Sequence, residues 1–162
     1  MIILGIDPGI GRCGWGIVEG KNSAFKALNY GCIETSSKKE IPQRLREIYE
    51  QIEEIIKKYS PDALAIEELF FNTNAKTAFV VGQARGVVLL AGARAKIPIF
   101  IYTPLQVKIA LTGYGRAEKS QIGQMVKTLL KLNAVPKPDD TADALAIALS
   151  HIFSARFSDR TK

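Results

Sequence analysis

The sequence predicts an α/β domain built on a mixed five-stranded sheet, three antiparallel strands followed by parallel ones, flanked by helices. Three observations carry this. The first 34 residues hold three strand-like runs joined by short turns, which forces largely antiparallel pairing. At Ile41 the hydrophobic period changes from that of a strand to that of a helix. From there short apolar runs alternate with helical stretches, so the later strands are carried over by helices. With 162 residues the chain can build one full core but not two substantial domains, and residues 1–162 are read as a single domain.

The elements follow in order. Ile2-Ile3-Leu4-Gly5-Ile6 is an apolar run that ends on Asp7, a buried first strand. Cys13 to Val18 alternates glycine with larger residues and reads as the second strand. Glu19-Gly20-Lys21-Asn22 is a turn, and Ala24 to Glu34 a longer third strand. From Ile41, apolar residues at Leu45, Ile48, Tyr49, Ile52, Ile55, Ile56 and Tyr59 make an amphipathic helix that Ser60-Pro61 ends. Ala63 to Ile66 is a fourth strand running into Glu67-Glu68. A loop over residues 69–73 leads to a helix from about Asn74 to Lys96, rich in alanine, glycine and valine. Ile97 to Tyr102 is the fifth strand, and Thr103-Pro104 caps a short helix. A glycine-flanked basic loop, Gly113 to Arg116, precedes helices at about 117–132 and 139–155.

Composition narrows the function classes. No run of roughly 18 apolar residues is present, so a membrane span is not expected. The N-terminus lacks the pattern of a secretory signal, and a cytoplasmic location is expected. The two cysteines, Cys13 and Cys32, are expected to be reduced, buried and small. One histidine and no close cysteine pair argue against structural zinc. A net charge of +6 and a pI near 9.4 permit a polyanionic partner without demonstrating one.

Gly9, Gly11 and Gly14 spell the glycine fingerprint of dinucleotide-binding folds. That fingerprint works only where the glycines open a helix. Here Gly14 leads into strand-like Trp15-Gly16-Ile17-Val18, so the glycines are read as permitting a tight turn and close packing beside Asp7. An actin-like ATPase reading would need a second lobe that the chain has no room for.

Four acids stand out by position. Asp7 and Glu67 end apolar strands, and Asp140 and Asp143 lie three apart at the start of the last helix, on one face of it. Burying carboxylates together is unfavourable without a cation. Hard oxygen donors suit Mg²⁺ or Mn²⁺, and a pair of such ions suits phosphodiester cleavage. Asp140 alone also fits a simple acid at a helix N-terminus. Glu68, Glu118 and Asp139 read as solvated surface acids.

The segments GIDPG (5–9), AIEELFF (65–71), GQARGV (82–87), QVK (106–108), AEKSQ (117–121), MVKTLLKL (125–132) and DDTADALAIA (139–148) together resemble the RuvC family of bacterial Holliday-junction resolvases, which has a ribonuclease-H-like fold. The resemblance runs in order along almost the whole chain. It implies a homodimer that binds four-way junction DNA. It implies paired symmetric nicks that need Mg²⁺, two ions per active site with Mn²⁺ an alternative, and leave 5′-phosphate and 3′-hydroxyl ends in recombination and repair. It implies Asp7, Glu67, Asp140 and Asp143 as catalytic and metal-binding residues, Phe70 as the loop aromatic, and Lys108 and Lys119 as functional lysines, with RuvA and RuvB as partners.

The residues fit these implications. Lys76, Arg85, Lys108, Arg116 and Lys119 are placed to meet phosphates, and Lys119 near a scissile phosphate would also serve catalysis. Phe70 and Phe71 sit in a loop where an aromatic can stack on a splayed base. The small-residue helix is expected to form much of a two-fold contact. His151 is expected to be structural. Two rivals stay open: a ribonuclease-H-like nuclease acting on another nucleic acid, and a non-catalytic junction-binding module.

Overall fold

The computed structural model describes residues 1–22, 24–68 and 75–160, with side chains as far as Arg156. Five strands and five helices follow one another as β1 (Ile2–Asp7), β2 (Arg12–Lys21), β3 (Ala24–Glu34), α1 (Ile41–Tyr59), β4 (Ala63–Glu67), α2 (Ala75–Arg94), β5 (Ile99–Tyr102), α3 (Pro104–Thr112), α4 (Lys119–Leu129) and α5 (Asp139–Arg160). The sheet order is β3-β2-β1-β4-β5. β1 pairs antiparallel with β2 and parallel with β4, so the expected mixed sheet forms. The second strand starts one residue earlier and ends three later than the alternation alone suggested, because its pairing with β3 continues through Lys21. The glycines after Asp7 lie in a hairpin and open no helix, which removes the dinucleotide reading.

Strand alternation sorts the core into two layers. Leu4, Ile6, Leu64 and Ile66 face α1 and α2, where Ile48, Ile52, Ala84 and Val88 meet them. Ile3, Ala63 and Ala65 face the other way, toward Leu145, Ala148 and Leu149 of α5 and toward α3 and α4. By the same parity Asp7 and Glu67 lie on the α5 side. α1 stops as expected: Ser60 takes a left-handed conformation at φ 44° and its N–H bonds the Ile56 carbonyl. α3 opens on a reciprocal cap, in which Thr103 accepts from the Gln106 N–H and Gln106 accepts from the Thr103 N–H.

α5 crosses the middle of the sheet, and glycine decides how closely. A Cβ on Gly5 would lie 2.1 Å from the Ala144 carbonyl oxygen, and one on Gly14 would lie 1.9 Å from that of Asp140. No side chain fits in that space. The helix backbone therefore rests directly on β1 and β2, which brings its first turn beside the end of β1. Gly14→Ala should cost about 1–3 kcal/mol through overpacking, read as a lower urea midpoint, and should abolish the expected nicking activity by lifting Asp140 away from Asp7.

Candidate active site

β1 and β4 end side by side. Asp7 and Glu67 each lie one residue past the Ile6–Ile66 pair, at the point where the chain leaves the sheet in different directions. Ligand crevices form at such points in open α/β sheets. α5 brings Asp140 and Asp143 over the same end in its first turns. Asp7, Glu67, Asp140 and Asp143 are all half-buried.

The electrostatics show that these carboxylates share one environment. Burial, then the charges of Glu67, Asp143 and Asp140, push the Asp7 carboxyl up to about 8, with Lys119 pulling the other way. Glu67 is raised by burial and by Asp143. Asp143 is also raised by burial, which outweighs the bond it accepts from Lys119. That bond is 2.8 Å from Nζ to Oδ2 and holds the lysine ammonium above its ordinary range. Lys119 opens α4 and is exposed; its ammonium also lies 3.9 Å from Asp139.

Lys108 completes a cavity of about 250 Å³ whose polar rim is Glu67, Asp143, Lys108 and Lys119. Its floor is apolar, with Val107, Ile122 and Ile147. Lys108 and Lys119 thus meet two of the expected acids, Glu67 and Asp143, in this cavity. Arg116 is exposed in the loop between α3 and α4, and Lys76 is exposed on the first turn of α2. Phe70 and Phe71 lie outside the described residues. Arg85, expected among the phosphate-facing cations, is half-buried, and its Nε donates to the backbone carbonyl of Glu67 at 3.3 Å.

His151 is structural, as expected. It is buried two turns after Asp143, its Nδ1 lies 2.8 Å from the Tyr102 hydroxyl, and burial pushes its pKa down. Sequence reasoning missed Tyr102, which the β4–β5 ladder sets opposite Glu67; no local sequence signal marks it. Cys13 is buried and Cys32 half-buried, and both thiols are free.

The family model described as crossover junction endodeoxyribonuclease RuvC matches residues 3–151. The chain belongs to the RuvC family. The protein of that name from Alkaliphilus metalliredigens is 59% identical over 162 residues, covering 100% of this chain and 99% of that protein. The one from Desulforamulus reducens is 54% identical over 163 residues, with both chains covered at 100%. The Thermus thermophilus RuvC structure superposes with a TM-score of 0.90 at 40% identity, covering 98% of this chain and 97% of that one. The same protein in complex with a Holliday junction substrate gives 0.90 at 37% identity, over 97% and 96% of the two chains. The yeast mitochondrial resolvase Ydc2, at 17% identity and a TM-score of 0.69, covering 97% of this chain and 80% of its own, shares the fold.

Among the described residues, no three histidine, cysteine, aspartate or glutamate side chains are grouped closely enough, as they stand, to hold a metal ion. The donor chemistry nevertheless fits a hard divalent cation. The members are all carboxylates, and their mutual repulsion is what such an ion would relieve.

The raised Asp7 value sets a sign for stability. Between the ordinary carboxyl value of 3.8 and about 8, the folded protein holds a proton that the unfolded chain has released. The stability this provides is full below that window and is lost as pH rises through it. In EDTA, the melting temperature should fall across this window more steeply than that of Asp7→Asn. The variant should be the more stable of the two at the upper end, as read by thermal melts at a series of pH values.

Proposed function

We propose that the protein resolves four-way DNA junctions by paired symmetric nicks, leaving 5′-phosphate and 3′-hydroxyl ends, in recombination and repair. The single observation that supports this reading most is that the charges of Glu67, Asp143, Asp140 and Lys119 all bear on the Asp7 carboxyl where β1 and β4 end and α5 begins. Membership of the RuvC family supplies the substrate class. Asp7, Glu67, Asp140 and Asp143 would hold two Mg²⁺ or Mn²⁺ ions. When bound, these would supply a water activated for in-line attack and neutralise the departing 3′-oxygen.

The chain's own groups do the rest. Asp7, on the innermost strand, fixes the centre of the site. α5 carries Asp140 and Asp143 as a rigid pair. Lys119 keeps positive charge where the pentavalent phosphorus gains negative charge, and Lys108 holds a neighbouring phosphate across the cavity. Arg116 and Lys76 add phosphate contacts farther out, and Phe70 and Phe71 supply the stacking surface for an unpaired base. The same reading takes RuvA and RuvB as partners at the junction and the cytoplasm as the compartment.

Paired nicking needs two sites related by a two-fold axis, and α2 supplies a face for it. Phe79 and Leu90 are exposed at 67% and 54%, large values for such residues on a helix. Gly86 stands between them with nothing near its Cβ position. A small residue flanked by large apolar ones lets a second copy of the helix approach closely. Leu90→Asp combined with Phe79→Asp should convert a dimer to a monomer in analytical ultracentrifugation and reduce paired nicks to slow single ones.

The experiment that tests the function is cleavage of an end-labelled four-way junction beside linear duplex and an RNA–DNA hybrid, with Mg²⁺ and with EDTA. Paired nicks on the junction alone, lost in EDTA and lost in Asp7→Asn while junction binding remains, are expected. Cutting of the hybrid in place of the junction would move the function to a ribonuclease. Binding without cutting of any substrate would make it a junction-binding module.

A further inference from the structure

The parallel ladder between β1 and β4 pairs Ile3 with Ala63, Gly5 with Ala65 and Ile6 with Ile66, and stops there. The reason is in the sequence. The N–H groups of Leu64 and Glu68 bond to the carbonyls of Pro98 and Tyr102, so even-numbered residues of this strand turn their peptide groups toward β5. Odd-numbered residues turn theirs toward β1, and the Glu67 carbonyl therefore points into the gap between the two strands. Parallel pairing continued in the same register would set the amide of residue 8 opposite it. Residue 8 is proline and has no N–H to give. The backbone of β1 thus leaves the carbonyl of an expected metal ligand without its ladder partner, at a half-buried position where an unmet acceptor is unfavourable.

Arg85 meets it. Its Nε reaches from the middle of α2 to the Glu67 oxygen at 3.3 Å. The neighbouring helix residues anchor this reach, since Ala84 and Val88 are fully buried against β4 and α1. A guanidinium N–H can stand in for the missing amide, and this one reaches the strand end from the α2 side. β5 holds the same strand end from the other side, through the Glu68 N–H to Tyr102 bond at 2.8 Å.

We infer that Arg85 is a positioning residue for Glu67: it replaces the ladder bond that Pro8 cannot make and so fixes where the Glu67 carboxylate stands against Asp7 and Asp143. It acts through Glu67 and need not touch DNA. This rests on the metal-dependent reading of the site given above.

The test uses the full chain with Arg85→Met and Arg85→Lys. Four quantities are measured: the melting temperature, Mn²⁺ affinity by calorimetry, the Mg²⁺ concentration that half-saturates junction nicking, and junction affinity in EDTA across a salt series. Arg85→Met should weaken Mn²⁺ binding about tenfold, the lower end of what loss of a supporting contact to a ligand costs. It should raise the Mg²⁺ requirement by a similar factor, so that excess Mg²⁺ recovers most of the rate, and leave junction affinity and its salt slope unchanged. Arg85→Lys, which keeps a charged donor, should fall between the two.

A salt slope reduced by about one with Mn²⁺ affinity intact would make Arg85 a phosphate ligand and overturn the inference. A lower melting temperature with Mn²⁺ affinity and Mg²⁺ requirement both unchanged would reduce its role to packing and overturn the inference equally. Absence of any Asp7-dependent Mn²⁺ binding in the unsubstituted protein would instead overturn the metal reading beneath it.

Discussion

Carboxylates brought together out of water repel one another, and the fold concentrates that repulsion on Asp7. Its carboxyl is raised to about 8 by burial and by Glu67, Asp143 and Asp140 around it. A fold that only had to be stable would place an apolar side chain at the end of so apolar a strand. The arrangement makes sense where positive charge is part of the working molecule. Lys119 supplies some of it from α4 through its bond to Asp143. The hard oxygen chemistry of the set is suited to the rest being divalent.

Everything that creates this crowding is backbone placement. Glycine at positions 5 and 14 lets α5 lie on the sheet without an intervening layer of side chains, as the 2.1 and 1.9 Å approaches to the Ala144 and Asp140 carbonyls require. Leu145, Ile147 and Leu149 then anchor the helix, each fully buried and worth about 1.5–3 kcal/mol. On the opposite layer α1 and α2 cover Leu4, Ile6, Leu64 and Ile66. The acids are thus carried on the most heavily packed elements of the molecule, so the repulsion among them is opposed by the whole core.

Much of this was legible in the sequence because it follows from short-range rules. Strand alternation and the change of period at Ile41 give the sheet and α1. Asp7 and Glu67 announce themselves as charges that end apolar runs, and Asp140 and Asp143 by their spacing on a helix. The Thr103-Pro104 cap was readable for the same reason. What escaped depends on contacts between distant segments. Arg85 reads as one more cation on a basic chain; only the register that sets Pro8 against the Glu67 carbonyl shows why a donor is needed there. The Tyr102–His151 bond links residues 49 apart in the chain, and nothing local foretells it. The sequence of α2 is rich in alanine, glycine and valine, and it does not say that Phe79 and Leu90 are the ones left outside.

The central claim is that these carboxylates work as one cation-binding set, and anomalous diffraction from crystals soaked in Mn²⁺ tests it most directly. The account predicts at least one strong peak within coordination distance of both the Asp7 and Glu67 carboxylates, absent from crystals of Asp7→Asn. A peak elsewhere, or none at this site at saturating Mn²⁺, would contradict it.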